Sequence, residues 1–317
     1  MVILIVVLAL GSALLYGVGD YFGGVAARRI PVLAASTINY AFATIVLIAA
    51  LLVAGGVWSQ AAIVGGLVAG LLAAIGFLAF YAALAAGPIS LMSPLMALLS
   101  SAVPVVVAIV LGDELGPLAW IAIVLAIVGS VLIGIERRVS TRGARPRTLL
   151  FAVIAGVCLG LATVALDNVP DDAGLVPVFL DTTLGFVLLV ALVWLARAVP
   201  AVRRGVAVLD SHEPAVGSPH FSSTPAPGAG YLSVDETVQR GRARLLAALA
   251  GLFIGGANVL LMIALHAGSV AVVAVLVNLY PVATVLLAWA LLRERVNAVQ
   301  GTGIVLAVTA SVMLGLA

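Results

Sequence analysis

The sequence contains no lysine, one cysteine and, across 317 residues, only 9% charged side chains. Soluble domains carry about a quarter charged residues, so this set cannot cover a water-facing surface. A lone cysteine, Cys158, excludes an intramolecular disulfide and says nothing of redox compartment. Without lysine, fifteen arginines form the whole basic complement. They lie only between apolar segments, which argues against a nucleic-acid partner. Also missing are the HExxH pair, the Walker loop and the Gly-x-Ser-x-Gly elbow, and no acids or histidines cluster at metal-ligand spacing. No catalytic residue, metal or cofactor is therefore expected, and the chain does not read as an enzyme. It begins apolar with no basic stretch ahead, which reads as a retained first span rather than a cleaved leader.

What the sequence has is oil. Hydrophobic residues make up 64% of it, and the mean hydropathy is +1.31. A helical crossing needs about twenty mostly apolar residues. Such stretches fall at 3–27, 32–56, 60–86, 89–111, 117–135, 148–167, 174–198, 244–266, 269–291 and 297–316. The expected fold class is an all-α, multi-pass membrane protein of ten transmembrane helices, with the bilayer as its solvent and the cell membrane as its location. Among 33 glycines, the pairs Gly66/Gly70, Gly156/Gly160 and Gly251/Gly255 have the small-xxx-small spacing that lets helix backbones approach closely.

The chain also repeats. Ala86-Gly87-Pro88 joins spans three and four as Ala267-Gly268-Ser269 joins spans eight and nine. Glu114 and Glu294 close spans four and nine, each with one further apolar span behind it. Both read as structural carboxylates. Two halves of five spans follow, 1–138 and 148–316, and an odd count inverts the second relative to the first. Residues 200–243, rich in proline, glycine and serine, read as a disordered linker inside the second half. His212, Glu213 and His220 sit there without a scaffold that could hold a metal.

All the arginines fall on the connections after spans one, five, seven and nine; the other connections carry Asp113, Glu114, Asp167, Asp171 and Asp172. The positive-inside rule makes the basic side cytoplasmic and both termini extracytoplasmic.

Several polar residues stand at membrane depth. Asp20, in span one, reads either as a proton or cation relay, or contact to a cationic substrate, or as an interfacial carboxylate reaching toward Arg28 or a neighbouring helix. Asp181 in span seven is similar but nearer a helix end. Asn39 with Tyr40 in span two, Asn258 in span eight, and Asn278 with Tyr280 in span nine stand at this depth, and each amide either faces a cavity or joins helices at about 0.6–2 kcal/mol. Asn39 and Asp181 hold roughly matching places in the two halves. Tyr16, Tyr81 and Trp289 suit a cavity wall, interfacial anchoring or packing. His266 reads as interfacial. Pro94, Pro104 and Pro281 lie in spans, where each removes a helical hydrogen bond and kinks or unwinds the helix.

The residues 15–29 (LYGVGDYFGGVAARR) and 81–95 (YAALAAGPISLMSPL) resemble the EamA-type branch of the drug/metabolite transporter superfamily. So do Gly112-Asp-Glu-Leu115, Leu279-Tyr-Pro281 and Arg293-Glu-Arg-Val296, in that order. The resemblance covers the chain except its linker. It implies a ten-span carrier, commonly an exporter of amino acids, metabolites or drugs, driven by a proton, cation or substrate gradient, with a homodimer among its possible assemblies. Two departures stand out. Such carriers are usually drawn with both termini in the cytoplasm, opposite to the arginine pattern, and many carry an arginine in span two where this chain has Asn39. Other functions consistent with the residues are a flippase or enzyme acting on a lipid-linked substrate, and a non-transporting scaffold.

Overall fold

The computed structural model describes residues 2–86, 89–112, 116–134, 146–209, 234–280, 282–283 and 298–314. Among them there is helix and no strand. The helices are α1 (Val2–Ala27), α2 (Val32–Ala54), α3 (Gln60–Ala86), α4 (Ile89–Leu111), α5 (Pro117–Gly134) and α6 (Pro146–Asp167). They continue as α7 (Val176–Ala198), α8 (Pro200–Ala207), α9 (Val234–Ala267), α10 (Val270–Val277) and α11 (Ala298–Leu314). Six of them, α1, α2, α3, α6, α7 and α9, are long and apolar enough to cross a membrane; Leu95–Leu111 and Trp120–Gly129 are shorter apolar stretches.

Helix ends follow from local chemistry. Proline opens α5, α6 and α8 and occupies the second position of α7, where its missing N–H leaves no bond unmade. α2 stops at Gly55, whose φ of 72° is left-handed and whose N–H bonds the Leu51 carbonyl at 2.8 Å. α4 runs on through Pro94 and Pro104, so neither proline unwinds it. The Ser100 carbonyl, which Pro104 deprives of its helical donor, lies against Gly160. α10 ends at Val277, the residue whose carbonyl a proline four positions on would strike. Pro281 itself, like Glu114, Glu294, Trp289, His212, Glu213 and His220, lies outside the described residues.

The expected linker needs new bounds. Residues 200–207 are helical, and α9 begins at Val234, ten residues before the apolar run at 244. Hydropathy marks where a helix enters lipid, and α9 carries Arg240, Arg242 and Arg244 ahead of that point. The remainder, 210–233, lies outside the described residues.

Glycine sets the packing. A Cβ on Gly66 or Gly70 of α3 would come within 3.0 Å of the Pro177 or Asp181 Cα of α7. On Gly255 of α9 it would come as near to Ala43 of α2, and on Gly156 and Gly160 of α6 it would meet the Met96 and Ser100 carbonyls of α4 at 3.0 and 2.9 Å. Each predicted small-xxx-small pair therefore sits on a neighbour's backbone, the contact that lets helices associate where lipid offers no hydrophobic drive. Outward faces stay apolar; Leu52 and Val53, for example, are 82% and 91% exposed.

The same contacts give helix directions. Ile5 meets Gly268 and Gly19 meets Ala250, so α1 and α9 are antiparallel. α2 runs with α9, α3 runs with α7 and against α6, and Tyr40 at Gly185 with Gly55 at Gly174 sets α2 against α7. These directions gather Arg28, Arg29, Arg147, Arg197 and the arginines of α8 and α9 at one end of the bundle. Asp167, Asp171 and Asp172 lie at the other. At the basic end Arg147 lies over the Phe151 ring at 5.3 Å and Arg197 over Trp194 at 5.8 Å.

Candidate functional site

A cavity of about 90 Å³ opens inside the bundle. At about 30 Å³ per water in the liquid, that is room for roughly three waters. Its polar lining comes from seven elements, with Thr163 of α6 among them. α1 brings Tyr16 and Asp20, α2 brings Asn39 and Tyr40, and α4 brings Ser100. α7 adds Asp181 and Thr182, α9 adds Asn258, and Asn278 and Tyr280 follow α10. Phe77 and Phe80 of α3 complete an aromatic wall; Tyr40 meets Phe77 edge-on with ring centres 5.7 Å apart, and Phe80 meets Tyr280 at 6.4 Å.

Seven of the eight binding candidates named from sequence thus line one space. The eighth, Tyr81, stands just behind it. Its hydroxyl accepts a hydrogen bond from Asn39 Nδ2 at 2.9 Å. A second chain of bonds crosses the cavity: Tyr16 donates to Asn258 Oδ1, and Asn258 Nδ2 donates to Thr182 Oγ1 at 3.3 Å. Ser100 donates to Asn278 Oδ1. Asn258 and Asn278 therefore join helices as well as facing the cavity, so the two sequence readings of these amides coexist.

The carboxylates differ from the amides. Asp20 is 4% and Asp181 6% exposed, and the Oδ1 of each has no hydrogen-bond partner among the described residues. Asn39 Oδ1 and the Tyr40 hydroxyl are left in the same condition. Asp20 is buried inside the bundle, and Arg28, toward which it could have reached, points Nε and Nη2 at the Leu84 carbonyl, each at 3.4 Å. No arginine, histidine or glutamate of the described residues lines the cavity. Nor do three metal-ligating side chains gather anywhere among the described residues. His266, by contrast, lines a separate apolar crevice at the acidic end.

The two carboxylates lie at different depths. Gly19, beside Asp20, packs at Ala250 and Ile254 of α9, whereas Thr182, beside Asp181, bonds Asn258 further along that helix. At 1.5 Å per residue, the offset along the bundle is about 6–12 Å. Matched by glycine contacts, Asp181 (at Gly70) corresponds to Ala43 (at Gly255) and Pro177 (at Gly66) to Asn39 (at Gly251). Asn39 and Asp181 stand one turn apart under this matching, and both line the cavity.

Sequence reasoning missed Phe77, Phe80, Ser100, Thr163 and Thr182. Thr182 adjoins Asp181, and that adjacency was the available signal. Phe77, Phe80 and Ser100 are ordinary residues in apolar helices, and only packing turns them inward.

Comparison with known proteins agrees with this architecture. No curated protein matches the chain in sequence. A protein known from a crystal structure shares its fold with a TM-score of 0.62 at 17% identity, over 96% of this chain and 94% of that one. The family model described as the EamA-like transporter family matches residues 3–135 and 222–316, more than two thirds of the sequence. The chain is a multi-pass membrane protein and belongs to the EamA-like transporter family.

Proposed function

We propose that the protein is a carrier of the cell membrane that exports a small solute, with ten spans in two inverted repeats and the cavity exposed to each side in turn. The observation that carries this reading is one cavity with buried polar residues, lined by four helices from each side of residues 135–145. A scaffold has no use for two buried carboxylates, each with one oxygen unpartnered among the described residues, where a charge costs several kcal/mol.

The packing supports an inverted repeat. Exchanging α1 with α6, α2 with α7 and α3 with α9 turns the α1–α9 seam into α3–α6 and the α2–α9 seam into α3–α7, and all four are extensive. The α2–α7 and α5–α11 seams map onto themselves. Such an arrangement places a site at the repeat interface. Gathering the arginines at one end supports the orientation with that end in the cytoplasm.

The test needs no knowledge of the solute. In a Cys158→Ala background, cysteines at Ala73 and Ala162, two buried cavity-lining positions, are exposed to a membrane-impermeant thiol reagent in right-side-out and inside-out vesicles. Alternating access predicts labelling from both sides. Labelling from one side only, or none, refutes it.

A further inference from the structure

The cavity has a charge imbalance, and the imbalance selects its occupant. Asp20 and Asp181 line a space that no basic side chain among the described residues shares, and one buried oxygen of each has no hydrogen-bond partner among them. A buried carboxylate in this setting is neutralised by a proton or by a cation that comes from outside. Part of the remaining wall is aromatic, beside aliphatic, amide and hydroxyl side chains. Tyr40, Phe77, Phe80 and Tyr280 surround the space between the acids, and ring faces attract organic ammonium groups once water is excluded. An anionic solute would meet two acids and no counter-charge.

We infer that the cavity binds a small organic cation bearing a protonated amine, which replaces the protons held by Asp20 and Asp181. The inference rests on the carrier reading and names its substrate class. The exchange balances: R–NH3+ enters, the carboxylic O–H breaks, the proton leaves to water, and the ammonium remains beside the carboxylate. The depth offset of about 6–12 Å lets one end of the cavity hold a cation while the other holds a proton, and lets a diamine engage both acids. The space limits the occupant to an amine of a few carbons.

The other titratable groups facing these acids are phenols. Tyr16 of α1 lies within electrostatic reach of both acids, Tyr40 of α2 within reach of Asp181, and Tyr81 of α3 within reach of Asp20; Tyr280 lines the space after α10. α4, α6, α7 and α9 add no further titratable side chain to the lining. Phenols keep their protons at neutral pH, so any proton an amine displaces here comes from the aspartates.

The test is calorimetric titration of the purified full chain with butylamine, 1,4-diaminobutane, butyramide and butyrate, in buffers of different ionisation enthalpy at pH 5 to 8. The amines are expected to bind with proton release, their affinity rising up to about tenfold per pH unit for each proton displaced. Asp20→Asn and Asp181→Asn are near-isosteric, and each should remove one released proton and weaken diamine binding at least about tenfold. The wild-type proton count needs no variant, so a misfolded mutant leaves the test intact. Butyramide or butyrate binding as tightly as the amines, or amine binding without proton release, overturns the inference. The two proposals also fail separately. Two-sided cysteine labelling without amine binding refutes the cation site and leaves the carrier, whereas amine binding with one-sided labelling refutes alternating access and leaves the site.

Discussion

Gly70→Ala adds one methyl group, and the structure says what it meets. The new Cβ would lie 2.6 Å from the Asp181 carbonyl oxygen, 3.0 Å from the Asp181 Cα and 3.1 Å from the Leu184 Cβ. Ordinary contact begins at about 3.4 Å, so α7 must retreat from α3 by roughly 0.8 Å or α3 must bend. The obstacle is backbone, which has no rotamer to yield. Overpacking of this kind costs about 1–3 kcal/mol, against which the better helix propensity of alanine returns at most about 1 kcal/mol. Gly301→Ala in α11 is the control, because its Cβ meets nothing within 4 Å among the described residues. That variant gains helix propensity alone and should be neutral or stabilised. Half-buried Cys158 supplies the assay: a thiol-reactive dye reports its exposure as the detergent-solubilised protein is heated. Gly70→Ala should unfold on the order of 5 °C below wild type, and Gly301→Ala should not. Equal unfolding temperatures for the two variants would show that the α3–α7 seam is looser than described, and the argument from glycine contacts would fail with it.

Three further outcomes are expected. Tyr16→Phe removes the donor to Asn258 Oδ1 and should cost about 1–3 kcal/mol in the same dye assay, since a buried acceptor is left unmet; no loss would mean that water replaces the hydroxyl. Asn39→Ala strips Tyr81 of its donor across the α2–α3 contact and should destabilise by a similar amount, whereas in the double variant with Tyr81→Phe the second change should add little, because the pair acts as a unit. A C-terminal reporter active only in the cytoplasm should stay silent, and a bright signal would reverse the proposed orientation.

The helices were legible because lipid demands a crossing of fixed apolar length. α3 and α4 fall at the residues expected, 60–86 and 89–111. α8 was not legible. Its Pro-Ala-Val-Arg-Arg start reads as linker by composition, and no apolar run marks it. The upstream turns of α9 were hidden for the same reason, since charge masks a helix that has left the bilayer. In the site, acids and amides could be picked out because polarity at membrane depth is costly and therefore conspicuous. Phe77 and Phe80 could not, because an aromatic ring in an apolar helix carries no mark of which way it faces.

The seams divide the molecule differently from the chain. Backbone-close glycine contacts join α1 and α2 to α9, and separately join α3 to α6 and α7 and α4 to α6. Each group mixes the two expected halves. Across the cavity the groups are linked mainly by side chains: Asn39 to Tyr81, Asn258 to Thr182, and Thr44 to the Thr182 carbonyl at 3.5 Å. Inter-helix hydrogen bonds of this kind contribute about 0.6 kcal/mol on average within a membrane. At the acidic end the link is backbone, with Val57 N–H bonding the Asp172 carbonyl at 3.0 Å and Gly174 against the Gly55 carbonyl. Of these links, those across the cavity would yield first, because side chains can exchange partners with a bound solute or water while a glycine seam cannot open without leaving a void. Under the carrier reading, the moving bodies are therefore these two mixed groups, and Asp20 and Asp181 stand on opposite ones.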